Sequence, residues 1–279
     1  MICHFSCGAT SAIATAIALK EDPSAEVVYA DTGSEHPDNM RFLKDCEDIL
    51  FKKKVTIVRS ERYKNVQEVV EHKRFLAGPA GAPCTSELKK IPIRDYIGTR
   101  LVDELQVYGF DKTELKRIEK YKENNPEVTL DLPLLRHDLV KANCLALIDR
   151  FGIEMPAMYK LGYPNANCIG CVKAENMKYW AAIREDFPET FRWFAEMERK
   201  LGKEVDGKPR GAAINKRYIK GVRHRVFLDE LPTDIEPKRD VDMWCGYSCG
   251  SVGDIIGAPR EEIEDEEKSI EDVFGWLNQ

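Results

Sequence analysis

Apolar runs of strand length alternate with helix-length amphipathic runs from Met1 to about residue 155, and this alternation constrains the fold most. Met1–Phe5 reads as a buried strand, Ala12–Lys20 as a helix and "AEVVYA" (25–30) as a second strand. Residues 37–50 place Met40, Leu43, Ile49 and Leu50 on one helical face, with Pro37 suited to a first turn. "KVTIVRS" (54–60) predicts a third strand and "VQEVVEHKRFL" (66–76) a third helix. Residues 86–105 hold helical segments interrupted at Pro92. "QVYGF" (106–110) and "VTLDL" (128–132) complete the strands, each followed by a helical run. Strands that alternate with helices make right-handed crossovers, hence a five-stranded parallel α/β sheet with helices on both faces. Ligands of such sheets bind beyond the C-terminal strand ends, where strand order reverses. Ser6–Ser11 and "DTGSEH" (31–36) both follow strands at that edge and should line one pocket. The expected organisation is an α/β domain over 1–155, then a cysteine-containing, largely helical region over 156–279.

The longest apolar runs fall well short of the roughly 18 residues of a membrane span, and no secretory leader pattern is visible. A cytoplasmic protein is expected. The formal net charge of −6 argues against a global nucleic-acid footprint. One local exception is "NKRYIKGVRHR" (215–225), with Lys216, Arg217, Lys220, Arg223 and Arg225; it reads either as a solvated face or as an anion or nucleic-acid contact. The aromatic stripe Trp180, Ile183, Phe191 and Phe194 reads as packing. The acidic tail after 255 reads as a solvated edge or a partner surface.

Nine cysteines in a reducing compartment point to metal or redox chemistry rather than disulfides. Cys3, Cys46 and Cys144 sit in apolar patterns and read as buried small hydrophobes. Cys84, Cys168, Cys171, Cys245 and Cys249 stand among Gly, Pro, Asn and Ser, where backbone can wrap an ion. "NANCIGCVKA" is a C-x-x-C with Gly170 between, and "MWCGYSCG" adds a second pair. Thiolates at such spacing suit iron–sulfur or zinc, or a redox pair.

In "CHFSCGATSA" (3–12), Gly8 permits close backbone approach, and Ser6, Thr10 and Ser11 supply hydroxyls at a helix N-terminus. That combination can hold phosphate, or it can be an ordinary strand–helix turn with a hydroxyl N-cap. "FSCGATSA" resembles the phosphate loop of the ATP-pyrophosphatase (PP-loop) and phosphoadenosine phosphosulfate (PAPS) reductase superfamily, S-G-G-x-D/T-S. Cys7 replaces its first glycine, as a tolerated residue or as a thiol made reactive by the helix N-terminus. "VVYADTGSEHPDNMRFLKDCE" is similar to the family's adenosine-holding segment, with Asp31, Thr32 and Gly33 in place. Asp31 could equally cap a turn. "APCTSELKKIPIRDYI" resembles the sulfonucleotide-reductase segment, with Cys84, Lys89, Lys90 and Pro92 matching and Thr85 where iron–sulfur members carry a second cysteine. In finer texture the chain looks most like the PAPS-reductase-like proteins often met in bacteriophage genomes.

The resemblance implies a HUP-like adenine nucleotide alpha hydrolase fold, an adenine nucleotide (ATP or PAPS) over Ser6, Gly8, Thr10, Ser11, Asp31, Thr32 and Gly33, and Mg²⁺ on its phosphates. It implies a [4Fe–4S] cluster, zinc being the alternative, held by four of Cys84, Cys168, Cys171, Cys245 and Cys249. Lys89, Lys90 and Lys173 are the cations expected near the anion, and Cys84, Lys89 and Cys245 the catalytic candidates. "WCGYSCG" departs from the reductases' C-terminal E-C-G-x-H-x-G, with Trp244 for the glutamate. The implied function is therefore ATP-dependent adenylyl or sulfur transfer with pyrophosphate release. The alternatives are a sulfonucleotide reductase and a non-catalytic, metal-stapled nucleotide-binding module. The acceptor stays open, nucleic acid included, and a homodimer is compatible with the chain.

Overall fold

The computed structural model describes residues 1–78, 81–201, 203–205, 208–210, 212–241 and 267–279. A five-stranded, all-parallel sheet is built from β1 (Ile2–Phe5), β2 (Glu26–Ala30), β3 (Thr56–Val58), β4 (Gln106–Val107) and β5 (Leu130–Asp131), in the order β3-β2-β1-β4-β5. Central β1 is buried along its whole length because both edges and both faces are covered. Its register sets Ile2 beside Glu26 on one side and Gln106 on the other. Strand order reverses between β1 and β4, so the expected ligand edge lies above those two strands.

Helices α1 (Ala9–Glu21), α2 (Asn39–Asp45), α3 (Val66–Lys73), α4 (Ile91–Ile97), α5 (Leu115–Asn124) and α6 (Lys141–Arg150) connect and cover the strands. Ala-rich α1 is buried nearly all round, since it is packed between the sheet and α6. Ile93 and Ile97 of α4 pack on the opposite face with Ile2, Val28 and Val58, so helices lie on both faces. Further on come α7 (Met177–Asp186) and α8 (Pro188–Leu201), where Trp180, Ile183 and Phe194 are buried packing residues. Their apolar cluster includes Val66, Val69 and Leu88, and so draws on both sides of position 155.

Three expectations change. The strands are shorter than their apolar runs: residues 108–110 follow β4 as irregular chain, although Tyr108 and Phe110 stay buried. The 37–50 face is not continuous. The α-helix passes at Cys46 into a π-helical stretch, Cys46–Phe51, and Met40 and Ile49 are exposed while Phe42, Leu43 and Cys46 are buried. A π turn holds more residues than an α turn, so the apolar stripe slips round the axis. The last helix, α9 (Glu267–Leu277), is not simply a solvated edge: Val273 is buried in the sheet's core, and Phe274 and Trp276 pack against it. Two hairpins that the helical reading lacked also appear, β6 (Lys203–Val205) with β7 (Lys208–Arg210) and β8 (Asn215–Ile219) with β9 (Val222–Val226). No helix among the described residues is long and apolar enough to cross a membrane.

Candidate functional site

The bend after β1 is closed by its own side chains. The Ser6 backbone N–H donates to Ser11 Oγ at 3.1 Å, and that hydroxyl donates to the Gly8 carbonyl at 3.0 Å. Ser11 therefore shapes the bend from inside, while Ser6 is exposed and Thr10 half-buried at its rim. Gly8 is the N-cap of α1 and offers no side-chain acceptor to the first turn. The hydroxyl of Tyr159 accepts from the Ala9 N–H at 3.4 Å instead, and burial raises that phenol's pKa to about 12.

Cys7 adopts φ +55°, the left-handed region that costs a side-chain-bearing residue about 1–2 kcal/mol and that glycine enters freely. This accounts for the glycine in the pattern the loop resembles. Here the side chain is fully buried in the core, with its thiol donating to the Asn39 carbonyl at 3.6 Å. Burial raises the thiol pKa well above its ordinary value. Of the two readings of Cys7, its burial supports the tolerated, packing residue.

On the neighbouring strand, Asp31 caps its own turn. Its Oδ1 accepts from the Gly33 N–H at 2.9 Å, and its Oδ2 from Arg59 at 2.9 and 2.7 Å. Gly33 has φ +63°, and a Cβ there would stand 2.0 Å from the Lys64 carbonyl oxygen, so no other residue fits without rearrangement. Thr32 is buried; its hydroxyl contacts Cys168 Sγ at 3.2 Å, and the Ile169 N–H donates to the Ser34 carbonyl at 2.9 Å. The loop of the C-x-x-C is thereby fastened to the loop after β2.

Below this junction lies a buried charge network. Glu35 accepts from Lys89 Nζ at 3.0 Å and from the Tyr29 hydroxyl, with the carboxylate 5% exposed and the lysine 17%. Burial, then the Glu35 charge, push the Tyr29 pKa far up. Lys89 also lines a cavity with Thr32, Cys84, Cys168, Cys171 and Lys173, walled by Leu88 and Val172. Lys90 does not line it. The Cys171 N–H donates to the Tyr179 hydroxyl at 3.0 Å, and the buried Thr85 hydroxyl has no hydrogen-bond partner among the described residues. Three cysteines expected as ligands thus meet at one cavity. Their donor chemistry suits a thiolate-bound metal, but among the described residues no three His, Cys, Asp or Glu form a group that could hold a metal ion. Cys245 and Cys249, named as further ligands, and Cys245 as a catalytic residue, lie outside the described residues.

This combination, a phosphate-loop-like bend at a strand-order reversal and a cysteine-lined cavity fastened to the adjacent strand's loop, has a counterpart among known families. The model described as the phosphoadenosine phosphosulfate reductase domain matches residues 1–177. The chain belongs to this family. The reductase-domain match takes in the bend, the Asp31 loop, Cys84 and the C-x-x-C, and ends before α8 begins. No curated relative matches the sequence.

Sequence reasoning missed Glu35, Tyr29, Tyr159 and Gly109. Glu35 stood inside a quoted segment, and its burial beside Lys89 depends on a contact 54 residues away. Tyr159 reaches the bend from 150 residues downstream, with no local signal. Gly109 follows β4 at the reversal point, and a Cβ there would lie 2.6 Å from the Ser11 nitrogen. A glycine just past a strand at that edge was the available clue.

Proposed function

We propose that this protein is an enzyme that uses an adenine nucleotide, with ATP as the substrate, in adenylyl or sulfur transfer with release of pyrophosphate. The observation that carries this reading is the fastening of Cys168–Ile169 onto Thr32–Ser34, which sets the cysteine cavity one strand away from the Ser6–Ser11 bend. The nucleotide phosphates would lie at the N-terminus of α1, where the dipole and the rim hydroxyls of Ser6 and Thr10 favour an anion. The adenosine would follow the turn Asp31–Gly33. An acceptor oxygen attacks the α-phosphorus, the bond from that phosphorus to the bridging oxygen breaks, and pyrophosphate leaves with the electron pair. Lys89 and Lys173 supply positive charge near the cavity, with Mg²⁺ expected on the phosphates.

A [4Fe–4S] cluster, or zinc, on Cys84, Cys168 and Cys171 is our candidate for this cavity; it requires these three thiols to draw closer together than they stand here, with the fourth thiolate coming from Cys245 or Cys249. Such a group would supply electrons or a positive field beside the transferred atom. Anaerobic purification with metal analysis, plus a pyrophosphate-release assay on ATP, tests the reading. A brown protein with iron matching one cluster and pyrophosphate release weakened in Ser6→Ala is expected. A colourless zinc protein that binds no adenine nucleotide would overturn it.

The family description favours a second reading, reduction of a sulfonucleotide. A cysteine thiolate would attack the sulfur and displace the adenosine phosphate, and a dithiol reductant such as thioredoxin would then release sulfite. Sulfite production from PAPS with thioredoxin, abolished by Cys245→Ser, separates the two.

A further inference from the structure

The β8–β9 ribbon carries charge that the candidate site does not use. Residues 215–226 hold Lys216, Arg217, Lys220, Arg223 and Arg225 and no Asp or Glu, within a chain of net charge −6. The register sets Lys216 opposite Arg225 and Arg217 opposite His224. Like charges directly opposite one another destabilise a strand pair, and a two-stranded hairpin is marginal in water to begin with.

The base of the ribbon is firmly held. Glu198 of α8 is fully buried and accepts from the Ile214 and Leu228 N–H groups at 2.5 and 2.6 Å, one on each carboxylate oxygen. Lys216 pairs with Glu175. The tip at Lys220–Val222 is exposed, with Val222 59% accessible. The ribbon is thus a projecting arm on a fixed root. Glu175 stands two positions from Lys173, so the root of the arm adjoins the rim of the cysteine cavity.

We propose that the β8–β9 ribbon is a docking arm for duplex DNA, inserted in the major groove with its cations on the flanking phosphates. This deepens the proposed function by naming the class of acceptor presented to the cavity, and for that part it rests on that reading. Lys220 at the tip and Arg225 on β9 are exposed cations, so the ribbon carries positive charge to the groove walls. A two-stranded ribbon fits the B-form major groove, about 12 Å wide. The major groove of A-form RNA is too narrow to admit it.

Fluorescence anisotropy of the full chain on a 20-base-pair DNA duplex, the matching RNA duplex and the single strands tests this. With four phosphate contacts, affinity for duplex DNA should fall about 150-fold between 50 and 200 mM KCl, a log–log slope of about −3.6. Lys220→Glu with Arg225→Glu should weaken binding by more than tenfold and make the slope shallower by about 2. Lys116→Glu with Lys120→Glu on α5, an equal charge change elsewhere, should do neither. Thermal unfolding of each variant checks that it is folded. No DNA binding at 50 mM KCl, an unaffected ribbon variant, or RNA duplex or single strands bound as tightly as duplex DNA would each overturn the proposal. ATP binding on the same samples keeps the two readings apart. Its loss with DNA binding retained counts against the enzyme alone, and its retention without DNA binding counts against the arm alone.

Discussion

At Gly109 two backbones meet with nothing between them. A methyl group there would lie 2.6 Å from the Ser11 nitrogen and 2.7 Å from its Cα, and neither neighbour can rotate away as a side chain would. Gly109→Ala should therefore push the chain after β4 off the bend, at a cost of about 1–3 kcal/mol. For a chain of this size that lowers Tm by several degrees, and nucleotide affinity by calorimetry should fall at least tenfold. Gly275→Ala is the control, because among the described residues a Cβ there meets nothing within 4 Å; its Tm should hold or rise. An unchanged Tm and affinity in Gly109→Ala would remove the close-approach argument. Cys7 gives a second test at this scale. Its thiol is buried and its pKa is raised, as are those of Cys3, to about 12, and Cys144. Iodoacetamide at pH 8 followed by peptide mass spectrometry should leave all three unlabelled until the protein is denatured. Rapid native labelling of Cys7 would restore the reactive-thiol reading.

The π-helical Ser86–Lys90 segment matters because it delivers Lys89 to Glu35, and the pair is buried enough for its two halves to be unequal in isolation. Lys89→Met strands a carboxylate in an apolar setting and should cost about 3–5 kcal/mol in urea unfolding. Lys89→Met with Glu35→Gln removes both charges and should recover most of that loss. If the double variant is as unstable as the sum of the singles, the ion pair is not the cause. Elements of this kind also mark how far the sequence could be read. Buried parallel strands such as β1 and β2 are continuous apolar runs, so the sheet was legible, as were the buried Cys3, Cys46 and Cys144. The expected face of residues 37–50 failed because a π turn shifts the stripe, and no residue in "CEDILF" announces one. The role of α9 was hidden because its acidic flank resembles a solvated tail, while Val273 packs on a sheet far away in sequence. Of the candidate site, the local pieces were readable, namely the bend, the Asp31 turn and the C-x-x-C. The Tyr159 and Glu35 contacts come from tertiary closure and leave no spacing to read.

Across the whole molecule, two buried groups bias stability with pH in opposite directions. His4 is stacked on Tyr108 at 4.3 Å, and burial lowers its pKa from 6.5 to about 4 despite the hydrogen bond to Gln106. Between those values the unfolded chain binds more protons than the folded one, so acidification from 6.5 toward 4 removes stability, about 3 kcal/mol in all. Glu198 is the reverse case. Burial raises its pKa from 4.5 to about 7, against the pull of two backbone N–H donors. The folded chain then binds the extra proton, and stability is lost as pH rises from 4.5 toward 7, by a similar amount of about 3 kcal/mol. From 4.5 to 6.5 the two trends offset each other. Replacing either group should expose the other. Differences from wild type cancel the carboxylates and exposed histidines common to all the proteins. Relative to wild type, Glu198→Gln should lose Tm steadily as pH falls through this window, and His4→Gln should gain it. Thermal unfolding at pH 4.5, 5.5 and 6.5 measures both slopes. Opposite signs are required, since one variant removes a group that favours low pH and the other a group that favours high pH. Parallel slopes would mean that neither group titrates in the folded protein as its surroundings dictate.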